Sequence, residues 1–258
     1  MKSTDTIEKA IGDHYCMNCG YPLSDLYCSH CGQKANPEKI SFSYLWKEVF
    51  HFFTHLEKGF LFTTFEMILR PGITVRNFID GKRKNYHPPI SFFLIWTTIF
   101  ILFLYMVEKI FGTNTVIRYH DYFGPSMATR LAISNLGVVL TAVIPFQAFY
   151  LFLLVTRKSY NYFETMVGTI YSIGTVIQFQ FVFALFSLLY YLIGHHPVNL
   201  QVSDAFKILY LSWFILDTIR LYSVKHRLIR AIGFCVLAFG TFTAWRLIGY
   251  PVLIRIFS

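Results

Sequence analysis

The sequence predicts an all-α polytopic membrane protein with about five transmembrane helices and several amphipathic interfacial helices, preceded by a small cysteine-containing module. Hydrophobic residues make up 55% of the 258 residues and charged residues only 14%, against about 25% charged residues in an average soluble domain. The apolar residues are concentrated after position 89, in runs long enough to cross a bilayer. A surface that faces lipid explains this composition better than a soluble core does.

Two C-x-x-C-G segments stand close together near the amino terminus, with cysteines at Cys16 and Cys19, then at Cys28 and Cys31. The two-residue spacing lets both thiolates of a pair point at one ion, and the glycine permits a tight turn whose amides face the sulfur atoms. Clustered pairs indicate a metal in a reducing compartment rather than disulfides. Four thiolates predict a small zinc ribbon with a closed structural site, and iron is the alternative metal. We interpret His30 as a bystander, because four thiolates already complete the coordination.

The domain boundaries follow shifts in composition. We expect a flexible tail over 1–14, the zinc ribbon over 15–33, a linker over 34–40, interfacial or re-entrant helices over 41–89 and a transmembrane bundle over 90–258. Apolar runs predict spans near 90–111, 131–156, 165–194, 206–224 and 231–254. Cations are concentrated before the first span, in the loop after the second and in the loop after the fourth. The positive-inside rule therefore predicts a cytoplasmic amino terminus and, after five spans, a carboxyl terminus outside.

Residues 41–60 carry large apolar side chains every three or four positions, which predicts an amphipathic helix lying in the membrane interface. On its other face Glu48, His51 and His55 have a spacing that could build a metal or proton site, but we interpret them as a solvated polar face. Arg70-Pro71-Gly72 then interrupts a second apolar run, which predicts two short helices bent at Pro71.

The stretch from Gly81 to Pro89, GKRKNYHPP, separates the polar front of the chain from its apolar body. Cations in this region are expected to contact anionic lipid head groups: Lys82, Arg83, Lys84, Arg70 and Arg76. Two pairs at i, i+4 spacing predict ion pairs along the short helices: Glu66 with Arg70, and Arg76 with Asp80.

Four ionisable residues lie in or beside the predicted spans: Glu164, Asp217, Arg220 and Arg246. Charged groups are costly in a bilayer core, so these residues are functional candidates. Asp217 and Arg220 share a helix face at i, i+3 and can pair, and Arg220 is close enough to the cytosolic end to reach head groups. The four residues could line a polar path, or could fix neighbouring spans by ion pairs, which we favour.

The motifs C-x-N-C-G, Y-C-x-x-C-G-Q, L-R-P-G and G-K-R-x-x-Y-x-P-P occur in this order ahead of the apolar region. This order resembles an uncharacterised bacterial family of polytopic membrane proteins with an N-terminal four-cysteine zinc ribbon, a domain of unknown function. The residues that match are Cys16, Asn18, Cys19, Gly20, Cys28, Cys31, Gly32, Gln33, Arg70, Pro71, Gly72, Gly81, Lys82, Arg83, Tyr86 and Pro88. The resemblance covers Cys16 to Pro89. It implies architecture and location in a bacterial inner membrane, but no activity.

The sequence contains no nucleophile elbow, P-loop, dinucleotide glycine motif or H-E-x-x-H, and we predict no catalytic residue. We expect an integral membrane scaffold or accessory subunit whose cytosolic ribbon and interfacial helices dock a protein partner or a second copy of the chain. A transporter or channel with a polar path around Asp217 and Arg220 is the first alternative, and a lipid-handling enzyme is the second. Membrane lipids are expected partners. Nucleic acid is not, because no basic face interleaved with aromatic residues occurs outside the spans.

Overall fold

The computed structural model describes residues 15–51, 59–112, 116–118, 136–194, 196, 198–199, 202–222 and 226–244. These segments are mostly helical, and residues 15–41 contain no helix. The helices are α1 (Phe42–His51), α2 (Phe60–Leu69), α3 (Pro71–Ile79), α4 (Pro89–Phe111), α5 (Leu136–Leu151, extended by a π-helical turn at Phe152–Thr156), α6 (Tyr162–Gly194), α7 (Val202–Leu221) and α8 (Arg227–Ala244). Two short strands, β1 (Ile117–Arg118) and β2 (Val198–Asn199), pair in parallel beyond the ends of α4 and α6.

α2 and α3 form a helical hairpin with its tip at Arg70. The backbone leaves the helical region at Arg70, with φ −143°, and Pro71 opens α3 at the first helical position, where a missing N–H leaves no bond unmade. The tip is fixed to α7 by two side chains. The Tyr210 hydroxyl donates to the Met67 carbonyl at 3.1 Å, and the Trp213 indole N–H donates to the Ile68 carbonyl at 3.2 Å.

The open end of this hairpin lies at the loop between α3 and α4. α3 ends at Ile79, directly before that loop. Gly59, which precedes α2, is so close to the loop that a Cβ on it would lie 2.6 Å from the Asn85 carbonyl oxygen. The hairpin therefore begins and ends at one loop and extends from there to α7.

α6 is the central helix and packs against α4, α5 and α7. Every residue from Val167 to Gln178 is buried, as expected for a helix that is surrounded by other helices. The Tyr171 ring meets the rings of Phe78 in α3 and Phe92 in α4 edge to face, with centroids 5.7 Å and 5.6 Å away. These contacts join the hairpin, α4 and α6 in one core.

Among the residues that the structure describes, two helices are long and apolar enough to cross a membrane, α4 and α6. Their ends lie within three residues of the predicted spans 90–111 and 165–194. α5, α7 and α8 occupy the regions of the other three predicted spans, and the last of these is described only as far as Ala244. Whether all five helices cross a bilayer stays a prediction.

Candidate metal centre and its docking loop

The four predicted metal ligands come together at the amino-terminal end of the structure, and their Sγ atoms all lie within 4.8 Å of one another. The Sγ atoms of Cys16 and Cys31 are 3.6 Å apart, as are those of Cys19 and Cys28. A disulfide would need about 2.05 Å, so the cysteines are free thiols. In a tetrahedral site with metal–sulfur bonds of about 2.3 Å, the sulfur atoms are separated by about 3.8 Å. The cluster therefore fits a metal ion held by four thiolates.

The two C-x-x-C-G segments have the same backbone arrangement. The N–H of Gly20 donates to the Cys16 carbonyl and the N–H of Gly32 donates to the Cys28 carbonyl, both at 2.8 Å. Both glycines have φ +71°, in the left-handed region that favours glycine. The predicted tight turn after each cysteine pair is thus confirmed.

Backbone amides favour the thiolate form at Cys28. Hydrogen bonds from the amides of Cys31 and His30 lower the pKa of the Cys28 thiol to about 6. The amide of Tyr21 acts in the same direction on Cys19, but desolvation and hydrogen bonds to the other thiol groups outweigh it and raise its pKa to about 12. Since the thiolate is the form that binds metal, these amides favour coordination at Cys28.

His30 does not join the cluster. Its ring stacks on the ring of Tyr21, with centroids 5.4 Å apart and planes inclined by 16°. Within the described residues, the group that could hold a metal ion consists of the four cysteines. This is the arrangement that the sequence predicted.

Gln33 joins the ribbon to the loop between α3 and α4, residues Gly81–His87, which we call the docking loop. The Gln33 side chain is buried, with 6% of its surface exposed. Its Nε2 donates to the Gly81 carbonyl at 2.8 Å, and its Oε1 accepts from the backbone N–H groups of Arg83 at 3.0 Å and Lys84 at 3.1 Å. One carboxamide thus binds three backbone groups of the docking loop.

Both cysteine segments also touch the docking loop directly. Gly81 has φ +100° and lies against Met17, which stands between the first two cysteines. A Cβ at Gly81 would be 2.8 Å from the Met17 sulfur. A Cβ at Gly32 would meet the Lys84 side chain at 3.8 Å. The ribbon therefore rests on the docking loop at more than one point.

Arg83 fixes the docking loop to three other parts of the chain. Its Nε donates to the Phe78 carbonyl at 3.2 Å, and its Nη1 donates to the Glu38 carbonyl at 2.8 Å. The guanidinium also lies over the rings of Tyr44 at 5.1 Å and Phe78 at 5.3 Å. This side chain, predicted to contact head groups, thus makes its described contacts within the protein.

The other predicted head-group cations remain at the surface. Lys82 and Lys84 are exposed. Arg70 pairs with Glu66 at 2.6 Å and Arg76 pairs with Asp80 at 3.3 Å, which confirms both predicted i, i+4 ion pairs. Whether these cations contact lipid stays a prediction.

Asp217 caps the first turn of α3. Its Oδ2 accepts a 2.8 Å hydrogen bond from the N–H of Gly72, and the residue is only 9% exposed. Because Pro71 has no N–H, this amide is the first free donor of α3. A carboxylate at a helix amino terminus also interacts favourably with the helix dipole.

The predicted pairing of Asp217 with Arg220 was wrong. Within the described chain these two residues form no ion pair. The Arg220 guanidinium instead lies 5.8 Å from the centroid of the Trp213 ring and is exposed. The reason is geometric, since the approach of α3 brings a free backbone amide to Asp217 while the outer face of α7 leaves Arg220 at the surface.

Glu164 belongs to a capping box at the start of α6. The N–H of Glu164 donates to Asn161 Oδ1, and the N–H of Asn161 donates to Glu164 Oε2, each at 2.8 Å. This reciprocal arrangement satisfies two backbone donors of the first turn. Arg246, the fourth ionisable candidate, lies outside the described residues.

Glu48 is not part of a solvated face, and that interpretation was wrong for this residue. It is 6% exposed, and its Oε1 accepts a 3.1 Å hydrogen bond from the N–H of Ile90. Pro89 opens α4 and has no N–H, so the amide of Ile90 is the first free donor of that helix. α1 thus caps α4 as α7 caps α3. His55 lies outside the described residues. For His51 the structure describes the backbone but not the side chain.

Two residues that matter here were missed as site residues, Gln33 and Glu48. Gln33 follows the second C-x-x-C-G directly, so its position beside the candidate metal centre was visible, but its long-range partners were not. For Glu48 the sequence feature that could have indicated its role was Pro88-Pro89. A helix that begins with proline has its first free N–H at the next residue, and a side chain from another segment can accept a hydrogen bond from it.

The fold and the cysteine cluster define a mostly helical chain with two helices that could cross a membrane and a four-thiolate group that could hold a metal ion. A family described as a protein of unknown function (DUF3667) matches residues 57–101. The matched range covers α2, α3, the docking loop and the first half of α4. It begins after the cysteine cluster and does not include it. No curated protein and no solved structure matches the chain.

Proposed function

We propose that the chain is an integral membrane scaffold or accessory subunit, whose zinc ribbon and adjoining helices dock a protein partner on the cytosolic side. The observation that carries this proposal is that two of the charged residues in or beside the predicted spans cap helix ends. Asp217, the strongest candidate for a transport path, caps α3, and Glu164 completes a capping box. Charges that hold helix ends are structural, and they favour a scaffold over a transporter or channel.

The membrane placement is supported by the exposed surface of the helices. Large exposed apolar patches on a protein indicate contact with a membrane or another protein. Exposed apolar side chains occur along every helix from α4 to α8: Leu102, Met106, Ile110, Phe146, Phe149, Phe186, Leu189, Ile193, Leu209, Ile232, Val236 and Phe239. We therefore propose that these five helices cross the membrane. α1 to α3 are too short to do so.

The orientation is supported by the charges at one end of the helix bundle. Tyr160, just before α6, donates to Asp80 at the end of α3, and the Asn161 side chain reaches the Ile40 carbonyl. The ribbon, the start of α6 and the docking loop are thus at the same end. That end carries Lys82, Lys84, Arg157, Lys158 and Arg227. The positive-inside rule places it in the cytoplasm, and we propose a bacterial inner membrane with the carboxyl terminus outside.

We propose zinc as the metal of the ribbon, in a structural role. Four thiolates at tetrahedral spacing suit zinc, and four protein ligands leave no position for a substrate. Structural zinc supplies folding free energy to small modules of this kind.

The partner surface proposed for the ribbon is formed by its exposed aromatic and apolar side chains. Four of these are well exposed: Tyr15 62%, Tyr21 48%, Leu26 46% and Tyr27 61%. Aromatic residues with polar tips are enriched in protein interfaces. Either a different protein or a second copy of the chain would suit such a surface.

The test is purification of the intact protein from membranes in a mild detergent, followed by mass spectrometry of retained proteins, lipids and metal. We expect zinc and a reproducible protein partner or homo-oligomer, and we expect Cys16→Ser to lose both while the helical body stays folded. Cys235→Ser is the matched control, because Cys235 lies in α8 apart from the cluster. A monomer that carries no metal and no partner would refute the proposal, and ion flux abolished by Asp217→Asn in a folded protein would favour a transporter.

A further inference from the structure

We propose that metal loading of the ribbon controls the docking loop, so that the ribbon acts as a metal-dependent latch on the start of the membrane body. This inference rests on the metal site proposed above and not on any partner protein. It assigns to the cytosolic module a regulatory task that goes beyond holding a binding surface.

The first step is that one residue belongs to both parts. The backbone carbonyl of Gln33 accepts a 2.8 Å hydrogen bond from the N–H of Cys28, a metal-ligating residue. The side chain of the same residue binds Gly81, Arg83 and Lys84 in the docking loop. The position of the carboxamide is therefore set by the fold of the second cysteine segment.

The second step is that this fold depends on the metal. The ribbon's own buried apolar cluster is very small and consists of Leu23, Ala35 and cysteine side chains. A module with so little apolar area to bury is folded by its metal rather than by its core. When the metal leaves, the four thiols no longer share a partner, and the hydrogen bond from Cys28 to Gln33 loses its support.

The third step is that the ribbon supplies three separate contacts to the docking loop at Gly81 and Lys84. Oε1 of Gln33 is the acceptor for the N–H of Lys84. Met17 covers Gly81 from the first cysteine segment, and Gly32 covers the Lys84 side chain from the second. All three contacts come from the ribbon, so they would be lost together.

The consequence reaches the membrane body because the docking loop joins α3 to α4. Gly59 at the start of α2 lies against Asn85 of the same loop, and Arg83 connects it to Tyr44 of α1. Release of the ribbon thus loosens the loop at Gly81 and Lys84, and the contacts of Arg83 and Asn85 pass that change to the cytosolic ends of the hairpin. The metal-loaded ribbon keeps its contacts with the docking loop, and the metal-free ribbon loses them.

The experiment is hydrogen exchange of the full-length protein in lipid nanodiscs, measured by mass spectrometry with fragmentation that resolves single amides. The protein is compared as loaded with zinc, after chelation, and after zinc is added back. We expect the amide of Lys84 to exchange at least about tenfold faster after chelation, the effect of losing a hydrogen bond and its cover, and to recover with zinc. The amide of Lys82 is the internal reference, because it donates to the Asn77 carbonyl instead.

A variant separates the latch from simple unfolding of the ribbon. Gln33→Ala retains all four cysteines, so it should still bind one zinc ion per chain, yet Lys84 should exchange fast with or without zinc. Lys34→Ala is the matched control, since the neighbouring Lys34 is exposed and its side chain forms a surface ion pair with Glu38. It should behave as the wild type.

Equal protection of Lys84 in the loaded and metal-free protein would overturn the inference, and so would wild-type protection in a zinc-loaded Gln33→Ala variant. Because the purified chain is measured alone, such a result leaves the proposed partner docking standing. Loss of the partner in the Cys16→Ser purification would equally leave the latch untouched.

Discussion

The Asp217 carboxylate and the Gly72 amide, 145 residues apart in the chain, meet at 2.8 Å. The contact joins α7 to the first turn of α3 at a point where the two backbones almost touch. It converts a charged residue in a predicted membrane span into a helix cap. The first two predictions concern the two sides of this contact.

Replacing Asp217 by alanine should lower the free energy of unfolding by about 1–3 kcal/mol, because it removes a cap and leaves the buried Gly72 amide without an acceptor. Asp217→Asn should cost less, because the amide oxygen can still accept the hydrogen bond although the charge is gone. The measurement is unfolding in mixed micelles with increasing SDS. Glu38→Gln is the control, since the exposed Glu38 side chain forms surface ion pairs with Lys34 and Lys47, and such pairs contribute about 0–1 kcal/mol. Equal stability of all three variants would show that the contact does not hold the hairpin.

Gly72→Ala tests the close approach of α3 and α7. The new Cβ would lie 2.9 Å from the backbone carbon of Asp217 and 2.9 Å from the nitrogen of Thr218, so the helices must separate. We expect a loss of about 1–3 kcal/mol in the same SDS titration. Gly240→Ala is the matched control, because nothing lies within 4 Å of its added Cβ and alanine favours a helix by up to about 1 kcal/mol. A Gly72→Ala protein as stable as Gly240→Ala would contradict the geometry described for this contact.

Glu48→Ala should weaken the start of α4. The Ile90 amide would lose its acceptor, at a cost of about 1 kcal/mol, and its hydrogen exchange should become faster. Glu48→Gln keeps an acceptor oxygen and should fall between the wild type and alanine. Single-amide exchange of Ile90 in the full-length protein is the measurement, and an unchanged rate in Glu48→Ala would argue against a capping role.

The cysteine cluster should bind one zinc ion per chain, and Cys28→Ser should abolish this binding while Cys235→Ser leaves it intact. Zinc loading should also fall as the pH drops through about 6. Thiols bind metal as thiolates, and the pKa of Cys28 is lowered to about 6, so below that pH protons compete for Cys28 as well as for Cys19, whose pKa is raised. Elemental analysis of dialysed protein at several pH values is the measurement. Zinc retained fully at pH 4, or in the Cys28→Ser variant, would place the metal elsewhere.

Local spacing allowed the cysteine cluster to be predicted from the sequence. Two C-x-x-C-G segments specify four ligands and two left-handed glycines almost independently of the rest of the chain. The ion pairs Glu66–Arg70 and Arg76–Asp80 were predictable for the same reason, because both partners lie one helical turn apart. The long apolar runs likewise predicted α4 and α6 to within three residues.

The contacts between distant segments were not predictable in this way. A carboxylate in an apolar run can pair with a neighbouring arginine or with a backbone amide from another helix, and only the packing of α3 on α7 decides between the two for Asp217. The amphipathic pattern around Glu48 similarly fixed which face of α1 is polar. It did not show that Glu48 on this face reaches the start of α4 and is buried there.

The Asp217 cap also constrains the order in which the protein can be completed during translation. Pro71 and Gly72 leave the ribosome 145 residues before Asp217 does, which corresponds to roughly 7–30 s of synthesis at 5–20 residues per second. Throughout that interval the hairpin tip has no carboxylate to receive its first amide. The hairpin is therefore synthesised early. Its contact with Asp217 can form only after the fourth predicted span has been synthesised and packs beside it.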